Sequence, residues 1–312
     1  MREKILILGG SGFLGSTLIE NAPLGLEIHT TYFQRRRLNF VGCQAYEIDL
    51  SDKKETLDLF QKVRPDAVIH TAGIGSVDFC EKNQEEGYRN NVLATENVIS
   101  ACKIQRVVSL IYISTNAVFD GGFPPYGEAD TTNPINYYGK LKLICEEKIK
   151  ESGLEAVIIR PIFMYGWNAL GGRKNPAVWI IEELQHKRQL HLVNDVYENP
   201  LSAYQCAEAI WKIKERKSEK IYHLAGKETV NRYQFGCIVA EVFGLSSELI
   251  KEVDSSFFPD IAPRPRNTSF KTQRMEEELH LKPLGLREGL RLMKERIPER
   301  FDVVVCGRFS KG

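Results

Sequence analysis

Within residues 136–142, NYYGKLK, two tyrosines and two lysines crowd together. Side chains three or four positions apart share a helix face, which leaves two pairings, Tyr137 with Lys140 or Tyr138 with Lys142. The second, Tyr-x-x-x-Lys, suggests proton transfer. A lysine one turn along sets positive charge beside the phenol, favours phenolate and lowers the tyrosine pKa from about 10 toward working pH. Such a phenol can protonate an alkoxide or take a proton from an alcohol. Upstream, YISTNAVFDG (112–121) ends a β-branched run in two hydroxyls, Ser114 and Thr115. Ligands of doubly wound folds bind at the carboxyl ends of the strands, so these hydroxyls emerge where chemistry is expected. Capping of the strand end is their structural alternative.

The first residues, ILILGGSGFLG (5–15), read as strand, glycine turn and helix start. Two spacings fit: Gly10-x-Gly12-x-x-Gly15 and Gly9-x-x-Gly12-x-x-Gly15. Either puts glycine where the chain turns sharply, where backbone must approach a pyrophosphate, and where helix packs on strand. The helix N-terminus then presents free N–H groups to the phosphates. At the end of the second strand a dinucleotide site for NAD carries an acid for the ribose 2′-hydroxyl, whereas arginine there accommodates a 2′-phosphate. This chain reads TTYFQRRR (30–37), without an acid. Arg35 and Arg36 therefore favour NADP(H) over NAD(H). Asp49 closes the third strand pattern; it can bond the adenine amino group or cap the following helix.

These groups need a frame. Short apolar runs at 4–8, 27–32, 45–49, 66–72, 108–115 and 155–161 alternate with helical stretches, among them 84–104 and 138–151. Continuous apolar strands separated by helices indicate a parallel sheet covered on both faces. We read an α/β, doubly wound Rossmann-type domain over 1–160 and a smaller, mainly substrate-binding lobe over 161–312. Segments near 194–225 are candidates to return to the large domain. The tail 301–312 has no functional reading.

Composition narrows the class. The formal net charge is +1 and no long basic tract argues for nucleic acid. No apolar run approaches the length of a membrane span. The N-terminus runs straight into a strand pattern without a signal peptide's apolar core. The seven cysteines are scattered without Cys-x-x-Cys spacing, and the six histidines do not cluster. The expectation is a cytoplasmic protein with reduced thiols and no metal.

Hydroxyl, then Tyr-x-x-x-Lys, on a chain opening with the glycine turn resembles the extended short-chain dehydrogenase/reductase family, and within it the dTDP-4-dehydrorhamnose reductase branch. The likeness runs through GGSGFLGSTL, HTAGIGSVDFCE (70–81), YRNNVLATENV (88–98), YISTNAVFDG, YYGKLKLICEE (137–147), RPIFMYG (160–166) and APRPRNTSF (262–270). It implies Tyr138 as general acid, Lys142 as holder of the nicotinamide ribose, and Thr115 as the hydroxyl orienting the substrate oxygen. It also implies a cofactor site at Gly9, Gly12, Phe13, Leu14 and Gly15, continued by Asp49, Leu50, Ala72, Gly73 and Asn91. Val77, Asn116, Phe163, Arg264 and Arg266 would meet the substrate, with Tyr137 beside the pocket.

The implied activity is NADPH-dependent reduction of the 4-keto group of a nucleotide-linked 6-deoxy sugar, as in dTDP-rhamnose biosynthesis. Nucleotide-sugar dehydratases carry acids after the strand-end threonine, where this chain reads Thr115-Asn116-Ala117. The branch departs from its usual pattern at Phe163, commonly Trp, at Gly75 and over ENPLSA (198–203). Two alternatives stand beside the reductase: a non-catalytic NADP-binding regulatory subunit, and a reductase or epimerase of another sugar nucleotide. The family also implies a homodimer built on helices 84–104 and 138–151.

Overall fold

A computed structural model describes residues 2–33, 39–167, 174–216, 220–298 and 303–309. Seven strands make one sheet: β1 (Lys4–Leu8), β2 (Glu27–Tyr32), β3 (Gln44–Glu47), β4 (Ala67–His70), β5 (Ser109–Ile113), β6 (Ala156–Pro161) and β7 (Ile221–Leu224). Their order is β7-β6-β5-β4-β1-β2-β3, and every neighbouring pair is parallel. The order reverses beside β1, the crevice where such sheets bind ligands.

Successive side chains of a strand point to opposite faces, and here both faces are covered. Ile5, Ile7, Ile69 and Ile111 enter the core on one side. Leu6, Leu8, Val68 and Leu110 enter the core on the other. Such burial contributes about 1.5–3 kcal/mol for each side chain, which is why the strands read as unbroken apolar runs rather than alternating ones.

The helices that position the site are α1 (Phe13–Glu20), α2 (Lys53–Val63), α3 (Ala94–Gln105) and α4 (Tyr137–Glu151). A one-turn π segment, Arg89–Leu93, joins Gln84–Tyr88 to α3, so the predicted 84–104 helix is continuous but locally widened. Past residue 161 the chain divides its contributions. Helix α6 (Ala203–Lys214) packs on α1, Trp211 donating Nε1–H to the Leu18 carbonyl at 3.1 Å, and β7 extends the sheet beside β6. A third core gathers α5 (Pro176–Gln185), α7 (Arg232–Phe243) and α8 (Leu286–Glu295) around Ile181, Phe235, Val239 and Leu290.

Short pairings escaped the sequence reading. Ile250–Val253 lies parallel to Leu190–Val193. The tail's Val303–Val305 pairs with Asn39–Val41. Strands of three or four residues have too little periodicity to announce a partner distant in the chain. Among the described residues no helix is long and apolar enough to cross a membrane, and no group of three or more His, Cys, Asp or Glu could hold a metal ion.

Candidate active site

The glycine turn satisfies both predicted spacings because four glycines serve four purposes. Gly9 adopts a left-handed φ of 88°, which glycine alone enters at no steric cost. A Cβ on Gly10 would lie 1.9 Å from Thr30 Oγ1, and one on Gly15 would lie 2.2 Å from the Gly9 carbonyl. Gly12 caps α1 with no side chain, and the first helical N–H bonded back to it is that of Ser16, at 2.9 Å. Phe13, Leu14 and Gly15, which precede Ser16, line the cleft at the first turn of the helix, whose backbone N–H groups suit a phosphate.

Opposite this turn, Gly73 (φ 138°) is pressed against Asn91, and a Cβ there would meet Asn91 Oδ1 at 2.5 Å. Asn91 sits in the π segment, buried, donating Nδ2–H to the Gly87 carbonyl at 2.9 Å and to the Ile74 carbonyl at 3.4 Å. It therefore fastens the loop after β4 to the helix. Ala72, Gly73 and Asn91 line the same cleft as Gly12, Phe13 and Leu14.

Helix α4 is seated by a close approach. Asn136 caps it, accepting from the Gly139 N–H at 2.9 Å. A Cβ on Gly139 would stand 2.1 Å from the Ala117 carbonyl, so only glycine lets the helix start touch the turn after β5. Tyr138 thereby reaches the cleft beside Ser114 and Thr115. Thr115 accepts from the Ala117 N–H at 3.1 Å and donates weakly to Asn116 Oδ1 at 3.3 Å.

Lys142 lies one turn deeper, 7% exposed. It donates to the Tyr112 hydroxyl at 3.0 Å and the Ile113 carbonyl at 2.7 Å, and its ammonium stands 4.5 Å from the Tyr112 ring centre. Burial pulls its pKa below the usual lysine value, partly opposed by Cys145 and Glu146. The Tyr112 phenol is pushed up, first by burial. An ammonium has three N–H donors; two are used here by the strand.

Ser114 borders the cleft, but its hydroxyl is engaged behind the strand end. Its hydroxyl donates to Glu146 Oε1 at 2.5 Å, and Glu146 receives both arms of Arg160, at 2.9 and 2.6 Å. Arg160 in turn donates Nη1–H to His223 Nε2 at 3.3 Å, while His223 Nδ1–H faces the Tyr126 carbonyl at 3.2 Å. Burial, then Arg160, push His223 down to about 3, so this tautomer is neutral. A closed charge pair thus supports the strand end from behind. The two hydroxyls left open by sequence are divided: Ser114 faces the pair, and Thr115 lines the cleft with Tyr138.

The far wall of the cleft comes from the smaller lobe. Phe163 carries the Arg232 guanidinium 3.6 Å above its ring. Arg232 is ion-paired with Glu198, whose Oε1 accepts from Asn116 Nδ2 at 2.6 Å. Asn116 also donates to Thr268 Oγ1 at 2.7 Å. Val77 and Arg264 line the cleft too, Arg264 holding Asp78 at 2.9 Å and the Ala262 carbonyl at 2.7 Å. The whole cleft encloses about 800 Å³.

Other predicted site residues fall elsewhere. Arg266 contributes its carbonyl to the Tyr197 N–H at 2.7 Å and does not line the cleft. Asp49 accepts from Ser51 and pairs with Arg89 at 2.5 Å, while Asp52 caps α2. The Leu50 carbonyl accepts from Asn97 at 3.0 Å. Tyr137 donates its N–H to Glu81 at 2.8 Å. Arg35 and Arg36 lie outside the described residues. Sequence reasoning flagged the segment 198–203 only as a departure from the family pattern, without a role for Glu198, and missed Arg232; the two sit in or beside two-residue strands, Tyr197–Glu198 and Val230–Asn231. No local signal marks Arg232.

A parallel sheet with its glycine turn at the crevice, and a cleft lined by threonine, tyrosine and lysine, define an extended short-chain dehydrogenase/reductase. Residues 3–298 match the family described as RmlD substrate binding domain, and the chain belongs to that family. The spore coat polysaccharide biosynthesis protein SpsK of Bacillus subtilis is 28% identical, the match covering 92% of this chain and 95% of that one. Methionine adenosyltransferase 2 subunit beta of Bos taurus is 26% identical, over 88% of this chain and 82% of its own. The crystal structure of dTDP-4-dehydrorhamnose reductase from Bacillus anthracis, in complex with NADP, superposes with a TM-score of 0.84. It is 24% identical and covers 95% of this chain and 100% of that one, a likeness of fold.

Proposed function

We propose that the chain reduces the 4-keto group of a nucleotide-linked 6-deoxy sugar, using NADPH. The observation that carries this reading is the convergence of Thr115, Tyr138 and Lys142 on the cleft that the glycine turn opens into. The turn fits a dinucleotide, since Cβ atoms at Gly10 and Gly15 would fill the space the tight turn needs. NADP bound to the Bacillus anthracis reductase supports the cofactor choice, as does the lack of any acid over Thr30–Phe33 at the end of β2.

When bound, the cofactor supplies hydride. The chain's own groups do the rest. Thr115 orients the carbonyl oxygen by turning its hydroxyl from Asn116 Oδ1, a bond that is long at 3.3 Å and easily exchanged. Tyr138 gives its phenolic proton to that oxygen as negative charge develops there. The Lys142 ammonium stabilises the phenolate left behind and has one donor left for a ribose hydroxyl. Tyr112 and the Ile113 carbonyl fix where that charge stands.

The test is NADPH oxidation with a panel of dTDP- and GDP-linked 4-keto-6-deoxy sugars prepared in situ, with NADH as control. Turnover of one sugar supports the reading and names the substrate. Tyr138→Phe is expected to abolish that turnover while NADPH still binds. Silence across the panel with NADPH bound would overturn the reductase and favour a regulatory subunit, the class to which the name of the methionine adenosyltransferase relative belongs.

A further inference from the structure

The cleft is tied across by one amide. Asn116 follows Thr115, just past β5, and donates both Nδ2 hydrogens to residues that reach it from far along the chain. Glu198 Oε1 accepts one at 2.6 Å and Thr268 Oγ1 accepts the other at 2.7 Å. Both acceptors are buried, Glu198 at 8% and Thr268 at 2% exposure. Arg232 anchors Glu198 as its ion-pair partner, and the Phe163 ring lies against the guanidinium. These bonds join the strand end that carries Thr115 to the smaller lobe.

Charge sets which way the amide faces. A carboxylate only accepts hydrogen bonds, so the end of Asn116 that meets Glu198 is its NH2. Oδ1 is left facing the Thr115 hydroxyl at 3.3 Å. On its other side Thr115 Oγ1 accepts the Ala117 N–H at 3.1 Å. The hydroxyl thus stands between a backbone donor and the Asn116 carbonyl, and Glu198 places the second of these. Aspartate has nearly the shape of asparagine, so shape alone does not require an amide at position 116. Glu198 does: an aspartate there would lack both donors and bring a second carboxylate against it, where like charges repel.

Resting on the proposed reduction, we infer that Asn116 and Glu198 are positioning residues. Together they latch the smaller lobe to the strand end and hold the Thr115 hydroxyl where it meets the carbonyl oxygen of the sugar. Rate is sensitive to such placement, since a displacement of about 1 Å can cost about 100-fold.

The experiment measures kcat and KM with the best substrate of the dTDP- and GDP-linked 4-keto-6-deoxy panel, in Asn116→Asp, Glu198→Gln and the double variant that exchanges acid and amide. Asn116→Asp is expected to lose at least about tenfold in kcat, equivalent to about 1.4 kcal/mol, with NADPH affinity unchanged. Adding Glu198→Gln returns a donor to face the new carboxylate and should recover at least about fivefold of that loss. Each step is repeated in Thr115→Val. Because the latch acts through the Thr115 hydroxyl, Asn116→Asp should there change the residual kcat by less than about threefold. Where Asn116→Asp fails to bind NADPH, Glu198→Gln alone carries the test. It keeps the shape, removes the charge that orients the amide, and should lower kcat in wild type but not in Thr115→Val. A double variant no better than Asn116→Asp would overturn the inference and leave the reductase standing. So would an undiminished loss from either single variant in the Thr115→Val background. Failure of wild type to turn over any sugar of the panel would overturn both.

Discussion

Replacing Arg160 with Met tests whether the buried pair behind the site holds the strand ends in place. The side chains of Arg160 and Glu146 are 2% and 0% exposed, and the two bonds between them measure 2.9 and 2.6 Å. Without Arg160, the Glu146 carboxylate retains the Ser114 hydroxyl at 2.5 Å. The nearest remaining cation recorded for it is Lys150, 3.9 Å away and half exposed. Breaking a buried pair by removing one partner typically costs about 3–5 kcal/mol, because an uncompensated charge remains. The double variant Arg160→Met/Glu146→Leu removes both charges. It is left with the unpaired Ser114 hydroxyl and, like the single variant, with His223 Nε2 deprived of its Arg160 donor, each a penalty of about 1–3 kcal/mol. We expect the single variant to lose about 3–5 kcal/mol and the double to recover enough for a coupling of at least about 2 kcal/mol. Urea unfolding followed by tryptophan fluorescence measures this through the midpoint at constant slope; Trp211, buried against α1, is a suitable reporter. A loss under about 1 kcal/mol in the single variant, far below the expected range, would refute the reasoning. So would strict additivity in the double.

Gly15→Ala places a Cβ 2.2 Å from the Gly9 carbonyl; if overpacking of about 1–3 kcal/mol falls on the cradle, NADPH affinity drops about 10- to 100-fold, and unchanged binding would show that the turn does not seat the cofactor. Arg35→Ala with Arg36→Ala should weaken NADPH at least about tenfold, from charge-assisted bonds worth about 1.5–3 kcal/mol each, and leave NADH alone; equal weakening would undo the 2′-phosphate assignment. Stability should also fall in acid. Burial pushes His70 and His223 down to about 3, whereas an unfolded histidine titrates near pH 6.5, so the unfolded chain binds more protons between those values. Stability is lost as pH falls from about 6.5 toward 3, by up to about 1.4 kcal/mol per unit for each histidine. Glu20 acts oppositely: burial raises it to about 7, and its contribution declines as pH rises from about 4.5 to 7. His223→Asn should cut the slope of unfolding free energy between pH 5 and 6 by about one proton, and an unchanged slope would sink the assignment.

What could be read from the sequence was local. The rhythm of apolar runs and helices followed from the fixed periods of strand and helix, and it placed six of the seven sheet strands close to where they lie; the seventh, Ile221–Leu224, falls within the 194–225 stretch named as a candidate to return to the large domain. The glycine turn was legible because a tight turn against a helix start excludes side chains at defined steps, although only the structure showed Gly9, Gly10, Gly12 and Gly15 all in use. Tyr138 and Lys142 were legible as a pair because four residues make one helical turn.

The tertiary structure decided everything that depends on contacts across the chain. It set Lys142 against Tyr112, thirty residues away in sequence, and divided Ser114 from Thr115 by burying Glu146 and Arg160 behind one of them. It tied Arg264 to Asp78 and drew Arg266 out of the cleft. Above all it assembled Asn116, Phe163, Glu198 and Arg232 from four separate segments into one wall. Two-residue strands carry no period, and a charged residue beside one looks like surface. Its partner is fixed only when the packing of the smaller lobe has excluded water and left each polar atom to find another.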